Sequence, residues 1–236
     1  MTELIASIHL VSSVTLVVIG LIQLTLEKGG LTHAITGLLF LATYTICLAS
    51  SFGQWPLEWA FALSLGLYLA LTGWRFASKR STRSKKPDYW LQWISLLLVA
   101  VYGYLIYQTD KDIFSLPGAI MVLTALTSII VLDLLRSRFH KTILKSSKPR
   151  AQWFFNHITR MPASYFVHLT IMVLSFDIFR SALLNGMIPS MAGIAFILLS
   201  RPYYARMIDD KGRKVQRRKK RTKKKSKKRR SSTSGQ

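Results

Sequence analysis

Cysteine is almost missing from this chain of 236 residues: Cys47 is the only one, and it lies inside an apolar run. No intrachain disulfide can form, and no cysteine-based metal site can be assembled. Acidic residues are scarce as well, 10 against 33 Lys and Arg, and the last 26 residues hold none. The spacings that mark soluble catalysts are also absent. There is no Walker-type phosphate loop, no Gly-x-Ser-x-Gly, no His-Glu-x-x-His and no Gly-x-Gly-x-x-Gly, which argues against the chemistries those motifs serve. Internal symmetry and paired Gly/Pro-broken helices, which point to a secondary transporter, are missing too. Pro117 falls in the first turn of an expected helix, where proline is tolerated.

What the chain does have is long apolar runs. Half of it is hydrophobic, and Ile5 to Leu26 carries no formal charge over 22 residues, more than the ~20 needed to cross a bilayer core. As a helix, such a run satisfies its own backbone in lipid. Met1 to Gly20 lacks the basic start and small-residue cleavage site of a secretory signal, and it continues to Leu26, so it reads as a retained first span. The expected fold is all-α: a polytopic transmembrane bundle over residues 1–200, followed by a disordered polybasic tail over 201–236. Seven spans are predicted near Ile5–Leu26, Leu31–Ser50, Pro56–Trp74, Tyr89–Gln108, Phe114–Leu135, Ala163–Leu184 and Ile188–Leu199. Loop-forming sequences at Lys28-Gly29-Gly30, Ser51-Phe52-Gly53, Thr109-Asp110 and Asn185-Gly186 separate several of them. Trp55, Trp59, Trp74, Tyr89, Trp90 and Trp153 gather near the expected ends, as interfacial anchors do.

Charge sets the orientation. Arg75 to Lys86 carries six Lys/Arg and Arg136 to Arg160 carries seven, neither with an acid. The positive-inside rule puts both loops and the tail in the cytoplasm, the N-terminus outside and the C-terminus inside, which an odd number of spans requires. The cytoplasmic membrane is the expected location.

The tail is a separate chemistry. Lys211, Arg213, Lys214, Arg217, Arg218, Lys219, Lys220, Arg221, Lys223, Lys224, Lys225, Lys227, Lys228, Arg229 and Arg230 supply 15 of the +23 formal charges. Val215 is the sizeable hydrophobe there, so the tail cannot bury enough surface to offset its ordering entropy. Anionic membrane lipid is the leading partner, at roughly 1 kcal/mol per cation near the surface. RNA or the ribosome is the other, through phosphate contacts that weaken with salt. No aromatic residue interleaves the run, which argues against stacking on single-stranded bases.

Histidine is the one candidate cofactor ligand. His9 is expected in the outer part of the first span, His33 at the inner end of the second, His168 in the sixth, and His140 and His157 in the large cytoplasmic loop. Ionisable groups within a membrane usually face protein or a cavity, and neutral imidazole is an axial ligand of haem iron. Some 17 residues, or ~25 Å, separate His9 from the inner end of its helix, so His9 and His33 belong to opposite leaflets. His33 and His168 are the pair expected to hold a metal or haem b, with His157 or His140 as substitutes. Asp177 and Arg180 read as an i, i+3 ion pair on the sixth helix. Glu58 and Asp133 lie at expected span ends, in reach of water, and Gln23 as a hydrogen-bonding link between helices.

The stretch His9 to Tyr44, HLVSSVTLVVIGLIQLTLEKGGLTHAITGLLFLATY, resembles the start of an uncharacterised family of bacterial multi-pass membrane proteins. Asn156 to Thr170, NHITRMPASYFVHLT, is similar to a later stretch of that family. The matching positions are His9, Gln23, Lys28, Gly29, His33, Gly37, His157, Met161 and Tyr165. Where the family usually has Arg after its second histidine, this chain has Ala34, which puts an anion contact there in doubt. The resemblance implies helix-borne histidines like those of dihaem b-type cytochromes, by analogy of fold.

These observations leave three readings open. The leading one is a noncatalytic scaffold or assembly protein whose tail binds anionic lipid or ribosomes. The others are a haem b redox or sensory protein and a small-solute transporter. Deleting Lys211–Gln236 is expected to leave a folded protein but abolish salt-sensitive binding to anionic liposomes or ribosomes, read by cosedimentation at low and high salt.

Overall fold

The computed structural model describes residues 2–52, 57–79, 86–109, 127, 130–131, 133–135, 149–181 and 183–206. Six long helices stand out: α1 Thr2–Thr25, α2 Leu31–Ser51, α3 Leu57–Lys79, α4 Lys86–Thr109, α5 Pro149–Ser175 and α6 Leu183–Arg206. Residues 130–131 and 133–135 are helical as well, and no strand occurs among the described residues. The chain divides into two compact units, Met1–Ile197 and Leu198–Gln236. The description below concerns the first.

Helix α1 turns polar residues inward and apolar residues outward. His9, Ser12, Ser13, Leu16 and Gln23 are buried, while Leu4, Leu10, Val11, Val14, Val18 and Leu21 are exposed. A helix in water does the reverse, turning its apolar stripe inward. Buried His9, Ser13, Leu16, Gly20 and Gln23 alternate steps of four and three, the spacing of a coiled-coil seam. On α2, His33, Gly37, Phe40, Tyr44, Cys47 and Ser51 repeat the pattern, so the two helices pack antiparallel along polar seams. Serine and threonine hydroxyls elsewhere return to carbonyls three or four residues back, as Thr45 does to Leu41 at 2.9 Å and Ser64 to Ala60 at 2.8 Å. This keeps them satisfied on helices with few polar neighbours.

Three of the described helices, α1, α2 and α6, are long and apolar enough to cross a membrane by length and composition. That is fewer than the seven spans expected from sequence. Helices α3, α4 and α5, at 23, 24 and 27 residues, have the length but are not among the three. Most of the expected fifth span, Phe114–Leu135, lies outside the described residues, as do His140 and the tail from Lys211.

The largest correction concerns the sixth expected span. The helix runs over Pro149–Ser175, beginning 14 residues before Ala163 and ending nine before Leu184. His157 and Arg160, expected in a cytoplasmic loop, are therefore buried on a helix. Asp177 and Arg180, expected on it, sit beyond its end with left-handed φ of 46° and 48°, so they form no i, i+3 helical pair. Asn185 clasps that turn: its Oδ1 accepts from the Phe179 amide at 2.9 Å and its Nδ2 donates to Asp177 Oδ1 at 2.6 Å. The expected short seventh span is a helix of 24 residues, Leu183–Arg206, that runs past the expected boundary at 200.

Glycines bring the helices together. A Cβ on Gly20 would run into the Tyr165 ring, tying α1 to α5, and one on Gly66 would strike the Tyr44 hydroxyl, tying α3 to α2. Gly73 lets Met161 and Arg160 of α5 lie against α3. Gly66→Ala is expected to destabilise the protein by about 1–3 kcal/mol through overpacking. Tyr44→Phe removes the nearest clashing atom and leaves the ring carbon Cζ, so the double variant should melt closer to the parent in detergent than Gly66→Ala does.

Candidate functional site

The buried polar residues of the bundle collect at two levels. The inner one is built where α1 ends and α2 begins. Gly29, at φ 94°, takes a backbone conformation that glycine adopts without strain and turns the chain back. Lys28 Nζ donates to the Gln23 and Leu24 carbonyls at 2.6 and 3.0 Å, satisfying acceptors that the end of α1 leaves open. Burial pulls the Lys28 ammonium down to about 8. Gln23 Nε2 then reaches His33 Nε2 at 3.2 Å and donates to the His33 carbonyl at 3.1 Å, while Thr36 donates to Gln23 Oε1. The His33 ring meets that of His157 edge to face, with centroids 5.9 Å apart and planes at 90°. His157 Nδ1 lies 2.9 Å from the Gly73 carbonyl. An Nδ1–H donated there fixes the tautomer and leaves the lone pair on Nε2.

The outer level lies between the start of α1, the end of α2 and the end of α5. His9 Nδ1 is 3.1 Å from the Cys47 carbonyl and 3.2 Å from Ser50 Oγ. One helical turn along α1, Ser13 offers its hydroxyl at 3.1 Å and its carbonyl at 3.2 Å to His168 Nε2. The Tyr44 ring packs against His168 at 5.7 Å. The two levels are separated on α5 by the 11 residues from His157 to His168, or ~16 Å. The His33 and His168 pairing expected from the sequence is therefore not assembled. His33 meets His157, and His168 shares its level with His9.

A third cluster adjoins the inner level. Arg160 Nη2 pairs with Asp133, whose Oδ2 accepts from the Tyr68 hydroxyl at 2.8 Å. The guanidinium also lies over the Phe76 ring at 4.8 Å. Asp133 is buried, contrary to its expected place in reach of water. Sequence reasoning missed Asp133, Arg160, Tyr68, Tyr44, Ser13 and Ser164. The available signal was periodic: His157, Met161, Ser164, His168 and Ile171 continue the four-three alternation through a segment with few long apolar runs.

Several buried atoms have no hydrogen-bond partner among the described residues: His33 Nδ1, Tyr44 Oη, Gln152 Oε1, Arg160 Nη1, Ser164 Oγ and His168 Nδ1. Each costs about 1–3 kcal/mol if left so, and such groups normally bind water or a ligand. No group of three or more His, Cys, Asp or Glu converges as a metal cage among the described residues. The ligand chemistry on offer is paired imidazole. Comparison of the chain with protein-family models, curated proteins and solved structures finds no match.

Removing one member of the buried ion pair leaves a charge without its partner. Asp133→Ala is expected to cost about 3–5 kcal/mol, whereas replacing both members, as in Asp133→Leu with Arg160→Met, should recover most of it. Thermal unfolding of the detergent-solubilised variants reads both.

Proposed function

We propose that the protein is a multi-pass protein of the cytoplasmic membrane that holds haem b between paired histidines and moves electrons between an inner and an outer level. The observation that carries this reading is the inner pair. His33 and His157 would hold the group, each offering a neutral imidazole to haem iron. His33 and His157 stand at 5.9 Å, perpendicular, on different helices.

The donor set fits the group. His157 is oriented by the Gly73 carbonyl, a contact that sets ring orientation and raises ligand basicity. His33 is oriented by Gln23. The buried His33 Nδ1 has no hydrogen-bond partner among the described residues. Lys28 lies within electrostatic reach of both rings, and a cation there favours the more electron-rich state of a bound group. At the outer level, His168 is held through Nε2, and its buried Nδ1 has no hydrogen-bond partner among the described residues. Bound haem b would supply a reversible one-electron change at iron; the protein supplies ligands, orientation and a dry surround.

Seven spans with the N-terminus out and the C-terminus in complete the proposal, and the basic loops support that orientation. The scaffold reading rests on the tail alone. Its 15 cations favour a role in holding anionic headgroups at the cytoplasmic face, which is compatible with a redox bundle above it.

Full-length protein expressed with added haem and purified in detergent is expected to show a Soret band that shifts on adding dithionite. His33→Ala or His157→Ala should remove one part of it and His9→Ala or His168→Ala the other. Absence of any Soret band in the parent protein rules the reading out.

A further inference from the structure

The turn that joins α5 to α6 is apolar on its outside. Phe176, Ile178 and Phe179 are 56%, 56% and 41% exposed, and Leu183 and Leu184 at the start of α6 are exposed as well. A contiguous exposed apolar patch of this kind marks a surface that meets something other than water. The backbone of the turn is satisfied from within. The amides of residues 176–180 all donate inside the protein: Phe176 to the Met172 carbonyl at 3.1 Å, Asp177 to Leu174 at 3.3 Å, Ile178 to Val173 at 3.5 Å, Phe179 to Asn185 Oδ1 at 2.9 Å and Arg180 to Asp177 at 3.1 Å. Asn185, 1% exposed, also donates to the Asp177 carboxylate. Water satisfies the amides of an exposed turn, whereas irregular backbone at membrane depth must have them satisfied by the protein.

The hairpin is also short. Sixteen residues without formal charge, Met161 to Phe176, separate Arg160 from Asp177, and eighteen, Leu183 to Ser200, precede Arg201. As helix these rise ~24 and ~27 Å, below the ~30 Å of a bilayer core. A span shorter than the core is accommodated by local thinning of the bilayer and by flanking residues that reach for the interface.

We propose that the α5–α6 turn is seated in the outer leaflet, with Phe176, Ile178 and Phe179 among phospholipid acyl chains and Arg180 reaching a headgroup phosphate. The apolar surface of the turn continues into the exposed face of α6, at Leu183, Leu184 and Met187, on a helix long and apolar enough to cross a membrane. Charge fits the same partner: the Asp177 carboxylate is engaged by Asn185, and the exposed Arg180 guanidinium on its flexible stem suits an anionic phosphate. The inference rests on the multi-pass membrane reading but not on haem, and it leaves the tail on the cytoplasmic side.

Spin-label accessibility tests it. Nitroxides are attached at Ile178→Cys and Phe179→Cys in the full-length protein, reconstituted into liposomes of phosphatidylcholine and phosphatidylglycerol. Cys47 is fully buried, and the unsubstituted protein gives the labelling background. Power saturation compares relaxation by oxygen, which concentrates in lipid, with relaxation by a water-soluble nickel chelate present on both sides. At both positions the ratio of oxygen to nickel relaxation is expected to exceed that at exposed Lys79→Cys by about threefold or more. Val14→Cys, on the exposed face of α1, gives the lipid reference. A smaller ratio at the turn with a high one at Val14 puts the turn in water and overturns this inference alone. A low ratio at Val14 as well overturns the membrane reading with it. Weak relaxation by both reagents at the turn means that protein, such as a second copy, covers it, and overturns the lipid assignment.

Discussion

A polar side chain on a helix whose outer face is apolar finds its partner within the bundle, and the packing here follows from that requirement. Helix α1 turns His9, Ser13 and Gln23 inward and leaves leucine and valine outside. Gln23 donates to the His33 carbonyl in the first turn of α2, and the Cys47 carbonyl near the end of α2 holds His9. The two helices are thus held at both ends by hydrogen bonds and between them by Leu16, Phe40 and Leu41 of the apolar core. In water the hydrophobic contacts would dominate this ledger. In lipid they distinguish weakly between helix and solvent, and close packing and hydrogen bonds carry more of the association.

The same requirement explains why the histidines occur at two depths. Each ring is anchored by a backbone carbonyl or by Gln23, and the anchors sit where helices start, end or pass a glycine: Cys47 near the end of α2, Gly73 where α5 lies against α3, Ser13 opposite the end of α5. The Asp133–Arg160–Tyr68 cluster beside the inner level is a different device. It neutralises a buried guanidinium on α5 and joins the helical residue Asp133 to α3.

Much of the helical architecture could be read from the sequence, because the apolar runs of α1 to α4 are bounded by Gly, Asp and basic turns. The start of α5 could not. Pro149, Arg150, Gln152, Asn156, His157 and Arg160 make that stretch look like a basic loop, and a hydropathy window weighs composition while ignoring which face each residue occupies. Its heptad spacing carried the missing information. Asp133 and Arg160 were illegible as a pair for a related reason: 27 residues separate them, and each alone looked solvent-reachable. The histidines were legible as residues of interest but not in their pairing, since the pairing depends on where α5 begins. The end of α5 was misread as well, because Phe176, Ile178 and Phe179 extend the apolar run through a turn that left-handed Asp177 and Arg180 in fact create.

The interval between His157 and His168 sets a limit on how this chain can vary. Eleven residues advance an α-helix by about three turns plus 20°, so both rings leave α5 on nearly the same side. Adding or removing a single residue between them would swing one ring by about 100° and carry it out of the seam. Pro162 lies inside that interval and withholds an amide from the Ile158 carbonyl, a place where the helix can bend without changing its count. Chains related to this one by descent should therefore tolerate substitution within the interval far better than insertion or deletion.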